Sequence, residues 1–142
     1  MDAPTLSHLS QVMLHATAPA FLLGATASFV GLLVGRFNVL LDRSRSIHGI
    51  ADDDPLRQVL KSDIPRLRTR ARLLHRAISL AIASSICTTL LIVWSFAAAF
   101  LDRDHEVGAA LIFVVAMILF VGALACLARE VSMGLIEIDH LP

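Results

Sequence analysis

Three long uncharged, largely apolar stretches alternate with short charged ones along this chain. Asp2 and Arg36 bracket the first stretch, a second runs from Ala77 to Leu101, and a third from Val107 to Ala128. A helix needs about 20 apolar residues to cross a bilayer core about 30 Å thick, and all three stretches are long enough. The pattern predicts an all-α protein: one membrane domain over residues 1–142, with transmembrane spans at 17–41, 77–101 and 107–128.

The segment between the first two spans, about 42–76, has its own structure. Gly49 follows a helical extension of the first span, and the run Asp52, Asp53, Asp54 ends at Pro55. Asp54 as N-cap with Pro55 at the first helical position predicts a short amphipathic helix over 55–63, with Leu56, Val59 and Leu60 on one side. Pro65 then ends that helix and opens another. Leu67, Ala71, Leu74 and Ile78 recur at i, i+4, i+7 and i+11, while Arg68, Arg72 and Arg76 share the opposite face. This helix is expected to run unbroken into the second span. Residues 66–101 would make it about 54 Å long at about 1.5 Å per residue, so its first third is expected to project into the cytoplasm.

Composition agrees with a membrane location: 56% of residues are apolar and mean hydropathy is +0.74, against about 45–50% apolar in soluble domains. The 12 basic and 12 acidic residues cancel, so their placement matters more than their total. Ten of the twelve cations, Arg36, Arg43, Arg45, Arg57, Lys61, Arg66, Arg68, Arg70, Arg72 and Arg76, fall between the first and second spans. Cytoplasmic segments hold the excess of Lys and Arg. That segment and the tail from Arg129 are therefore expected inside, with residues 102–106 and the N-terminus outside. Ala16-Thr17-Ala18 resembles a signal-peptidase site, but no cation precedes it and Ser7, His8, Ser10, Gln11 and His15 interrupt the apolar run. Cleavage there is not expected.

The first span carries a seam of small and polar residues: Gly24, Ser28, Gly31 and Gly35 recur at i, i+4, i+7 and i+11, and the seam continues through Asn38 and Asp42. Lipid tails are as apolar as leucine, so membrane helices associate where small residues let backbones approach. The seam is expected to be a close helix contact, either within the chain or with a second copy. Ala77, Ala81, Ser84, Thr88, Ser95 and Ala99 form a similar stripe on the second span, and Ala109, Ala116, Ala123 and Glu130 follow a heptad on the third. Three helices leave no room for a pathway through one protomer. Any transport role therefore requires a homo-oligomer.

The search for reactive chemistry gives little. GxSxG, HExxH, P-loop and paired CxxC motifs are missing, so neither an enzyme nor a cofactor is expected. Cys87 and Cys126 lie in predicted spans as small hydrophobes. His8 and His15, about 10 Å apart on one helix, cannot share a metal without a partner chain. Asp102, Asp104, His105 and Glu106 read as a hydrated outer turn rather than a cation site. No metal site is predicted. Arg43, Arg45, Arg68, Arg72 and Arg76 form an inner basic face suited to anionic headgroups, where each cation contributes on the order of 1 kcal/mol. Nucleic acid is not an expected partner, since no aromatic residue is interleaved to stack a base.

Ala18-Pro19-Ala20-Phe21-Leu22-Leu23, the Asp42-Arg43 pair within residues 36–45, Arg70-Ala71-Arg72-Leu73-Leu74-His75-Arg76-Ala77 and Ala128-Arg129-Glu130-Val131 occur in that order. In these motifs the chain resembles the family catalogued as domain of unknown function 2721. The resemblance implies a small three-span protein of the bacterial inner membrane and no established activity; the run Asp52 to Asp54 departs from the family pattern. Two functional classes follow. The first, which the sequence favours, is a homo-oligomeric channel or transport protein with the first span on its axis, where Gly24, Ser28, Gly31, Gly35, Asn38 and Asp42 line a pathway or an oligomer seam. In the second, a non-catalytic scaffold binds anionic lipid or a cytoplasmic partner through its basic face. Either way, an N-terminal tag is expected to be accessible only from outside the cell and a C-terminal tag only from inside; labelling both from one side would require an even number of crossings and refute three spans.

Overall fold

A computed structural model describes three helices, α1 (Ala3–His48), α2 (Ile64–Phe100) and α3 (Glu106–Ile138). Their boundaries follow local signals. α1 ends one residue before Gly49, and α2 opens at Ile64 with Pro65 in its first turn, where a missing N–H is harmless. The short helix expected over 55–63 and the run Asp52 to Asp54 lie outside the described residues, as do Asp102 to His105.

The helices contain 46, 37 and 33 residues, giving lengths of about 69, 56 and 50 Å. All three exceed the thickness of a bilayer core. The sequence pattern, by contrast, gives such an extension to the first span, up to Gly49, and to the second, and none to the third. Each helix contains a window apolar enough to cross a membrane, within Ala16–Ser46, Ile64–Ala98 and Val107–Gly134. Only 17%, 28% and 11% of those windows is buried, so most of the apolar surface faces outward and needs lipid. Phe21, Leu32, Ile86, Leu90, Trp94, Leu111 and Ile118 are among the exposed side chains.

α2 lies between the other two and runs antiparallel to both; α1 and α3 approach each other less closely. On the α3 side, α2 presents Ala77, Ala81, Ser84 and Thr88, all fully buried, toward Ala116 and Ala123, also fully buried. A Cβ on Gly122 would sit 3.4 Å from the Leu80 side chain. Small residues bring the backbones close enough for the Ser84 hydroxyl to donate to the Ala116 carbonyl at 2.7 Å. Ala77, Ala81, Ser84 and Thr88 of the stripe read on the second span, with Ala116 and Ala123 of that on the third, thus form this contact.

On the α1 side the chemistry differs. α1 buries Leu22, Thr26, Leu33 and Leu40, a heptad-like ladder of larger residues. Ser85 of α2 donates to the Thr26 hydroxyl at 3.0 Å, and the Thr26 O–H in turn donates a hydrogen bond shared between the carbonyls of Leu22 and Leu23. Most other hydroxyls donate to the carbonyl four residues back, as Thr88 does to Ser84, and no buried side-chain nitrogen or oxygen among the described residues lacks a partner. Toward the charged end Leu33, Leu40, Leu74 and Ala77 form a core on which Phe29, Phe37, Leu67, Ile78, Cys126 and Leu127 pack. Phe29 also meets Phe120 of α3 edge to face, with centroids 5.5 Å apart.

Overpacking the α2–α3 contact should cost more than deleting its hydrogen bond. Ala123→Leu is expected to destabilise the protein by about 1–3 kcal/mol, and Ser84→Ala by about 0.6 kcal/mol. Unfolding in detergent micelles checks the order, and a reversed ranking would contradict backbone proximity as the basis of this contact.

Candidate functional site: a three-helix ion clasp and an outward seam

The charged end of the structure is organised around Glu130. Its carboxylate side chain is 2% exposed, although it comes from an element otherwise lined with alanine. One oxygen, Oε2, accepts from Arg36 Nη1 of α1 at 2.9 Å. The other, Oε1, accepts from Arg70 Nε at 3.0 Å and Nη2 at 2.7 Å, so α2 supplies two further bonds. One acidic residue thereby ties all three helices together. Arg70 reaches it across the α3 backbone at Gly134, where an added Cβ would sit 3.1 Å from Nη2. A larger residue there would push the guanidinium off the carboxylate that fixes it.

Withdrawing a carboxylate from water is costly, and three charge-assisted hydrogen bonds offset that cost here. The two arginines are not equivalent. Arg70 is 20% exposed and commits two donors, whereas Arg36 is 47% exposed and commits one. Solvent screening weakens the second pair relative to the first.

The seam on α1 points the other way. At about 100° per residue, Gly24, Gly31 and Gly35 lie about half a turn around α1 from Leu22, Leu33 and Leu40. A Cβ placed on any of the three glycines would meet nothing within 4 Å. Ser28, Asn38 and Asp42 are also exposed, and Ser28 donates to the Gly24 carbonyl at 3.1 Å. Among the described residues the seam glycines make no contact within the chain, and the leucine face is the one turned inward. Arg68, Arg72 and Arg76 are exposed, as expected of a solvated basic face, and Arg43 and Arg45 are exposed as well. Arg45 Nη1 lies 3.7 Å from Asp42 Oδ1, but the side chains are 79% and 74% exposed. Such a pair contributes little to stability.

Residues 16–140 match the family model described as a protein of unknown function, DUF2721. The chain belongs to that family. No curated protein and no solved structure shows a significant match to it. Membership in DUF2721 agrees with the resemblance read from the motifs and assigns no activity.

Reading this DUF2721 chain as a sequence found the basic face and the seam but missed the clasp. A signal was present. Glu130 continues the heptad of Ala116 and Ala123, and Arg70 continues the stripe of Leu74, Ala77, Ala81 and Ser84, so both charges stand where buried small residues are due. Two opposite charges on two packing stripes of adjacent antiparallel helices predict a pair. Arg36 lies on the flank of the leucine face and carried no such mark.

Removing Glu130 leaves two arginines without their shared anion, and removing Arg70 strips the carboxylate of two of its three bonds. Glu130→Ala and Arg70→Ala should each destabilise by about 3–5 kcal/mol, and Arg36→Ala by less, since Arg70 still holds the carboxylate. A double-mutant cycle on unfolding in micelles checks this. Equal losses at Arg36 and Arg70 would contradict the unequal roles.

Proposed function

We propose that this protein is a non-catalytic, homo-oligomeric scaffold of the bacterial inner membrane, with its N-terminus outside and its charged end in the cytoplasm. The outward seam of α1 carries this reading: a face of glycines turned away from the chain's own core lets a second helix approach closely. Orientation rests on the excess of cations beside α1 and α2. In that orientation the helix ends beyond the clasp form a short cytoplasmic stub of about 18 Å on α1, 9 Å on α2 and 12 Å on α3. Arg68, Arg72 and Arg76 then lie at or near the inner leaflet, where anionic lipid or an acidic cytoplasmic partner would bind.

Conduction along an α1-lined axis is the second reading, and the exposure of Ser28, Asn38 and Asp42 on the seam favours it. Two features support it less than they support a scaffold. At mid-depth the seam is mostly glycine, with the Ser28 hydroxyl turned onto its own helix. At the inner mouth Asp42 faces Arg45 of the same chain, so a ring of such carboxylates would be neutralised rather than left to select cations.

One preparation separates the outcomes. The detergent-solubilised mass of the wild type is expected to exceed one copy, and Gly31→Leu with Gly35→Leu is expected to return it to the monomer while the helices remain folded. Wild-type vesicles are expected to pass cations no faster than empty ones. Cation flux that falls with Asp42→Asn at unchanged mass would replace the scaffold by the channel, and a wild-type monomer would end both.

A further inference from the structure

A groove of about 510 Å³ lies between α1 and α2. Ala27 and Val30 line it from α1, and Ile82, Ser85, Ile86, Thr89 and Leu90 from α2. Ile82, Ile86 and Leu90 are exposed, so the groove opens to the surroundings of the protein. Its two hydroxyls are already spent: Ser85 donates to Thr26 Oγ1 at 3.0 Å, and Thr89 to the Ser85 carbonyl at 2.9 Å. What remains is a hydrocarbon surface, which suits an apolar chain rather than a polar ligand. The same face of α2 leads from the groove to the basic end. Arg68, His75 and Ile82 follow one heptad and Arg72, Ser79 and Ile86 another, and at about 100° per residue all six fall within about 80° of arc. Arg68, Arg72, His75 and Ser79 are exposed, and neither of the two guanidinium groups has a hydrogen-bond or ion-pair partner among the described residues. The uncharged stretch of α2 begins at Ala77, so Arg72 and His75 stand within about 8 Å of it, at headgroup depth. Ile82 and Ile86 lie about 10 and 16 Å further along the helix than His75, which matches one leaflet of a core about 30 Å thick.

We propose that this groove seats one acyl chain of an anionic phospholipid whose headgroup is held by Arg68 and Arg72 beside His75. Cations in line with a hydrocarbon slot match the two halves of such a lipid. The arginine forks suit phosphoryl oxygens, and a headgroup with net negative charge is favoured over a zwitterionic one. A second copy of the chain could fill the groove but would not serve the cations: Asp42 and Glu130 already face arginines of their own chain, so neither is a free anion for them. Val30 lies about 100–140° around α1 from the seam glycines, so a copy packed on the seam leaves the α2 wall of the groove open. The seat gives the lipid contact of the basic face a defined site, and it rests on the reading that this face meets the membrane surface.

The test is retention of lipid by the full-length protein released from nanodiscs of equal phosphatidylglycerol and phosphatidylcholine with matched chains, read by native mass spectrometry. Wild type is expected to retain phosphatidylglycerol in preference. Arg68→Gln with Arg72→Gln should lower that retention roughly tenfold and remove the preference. Ala27→Phe fills the groove without altering any charge and is expected to lower retention as far, whereas Val114→Phe, at an exposed position on α3, should change nothing. Helicity by circular dichroism identifies the variants that fold. Equal retention of both lipids by the wild type would overturn the seat, as would undiminished retention in a folded Ala27→Phe protein or in a folded Arg68→Gln, Arg72→Gln protein. The same spectra count copies. A monomer that keeps phosphatidylglycerol supports the seat and ends the scaffold, whereas an oligomer that keeps none overturns the seat and gives the groove to a second copy.

Discussion

A buried carboxylate shared by arginines from two other helices is the constraint on which the charged end of this protein depends. Within lipid, apolar burial does not discriminate one helix pairing from another, because a leucine facing acyl chains is as well solvated as one facing a neighbouring helix. Glu130 does discriminate. Its side chain is nearly inaccessible, and Arg36 and Arg70 satisfy it only when α1, α2 and α3 stand at one register. The clasp thereby sets the relative depth of three helices that van der Waals contact alone would let slide. Its position where the uncharged stretches end also keeps the solvation cost below that of an ion pair at the bilayer centre.

Above the clasp, the two contacts of α2 obey different rules. Toward α3, alanine, serine and threonine allow backbones to approach until a hydroxyl on one helix reaches a carbonyl on the other. Toward α1, leucines at Leu22, Leu33 and Leu40 hold the helices by side-chain packing, with the Ser85–Thr26 hydrogen bond between them. α1 consequently has a large-residue face inward and a small-residue face outward. That inversion is what makes the seam informative: a glycine row that contributes nothing to the fold of one chain is free for a partner.

The functional reading rests on the same division of labour. The parts that bear charge are either spent inside the protomer, as at the clasp, or presented outward at one end, as along Arg68, Arg72 and Arg76. The membrane-depth portion of the exposed seam is glycine-rich and carries no formal charge. This arrangement supports the proposed scaffold more than a path for a solute.

Sequence alone determined the three apolar helices, the end of the first near Gly49 and the start of the second near Pro65. It also determined that the alanine stripes of the second and third spans pack and that the basic face is solvated, because each is written in local periodicity, Pro and Gly positions, and the placement of charge. Which face of α1 turns inward was decided only by tertiary structure. α1 is apolar nearly all round, so periodicity names no inner side, and its glycine seam and leucine ladder are equally plausible contacts until a neighbour fills one. The clasp was decided there too. Residues 36, 70 and 130 are separated by 34 and 60 positions in sequence, and the identity of a shared counter-ion depends on helix register, which no local pattern encodes.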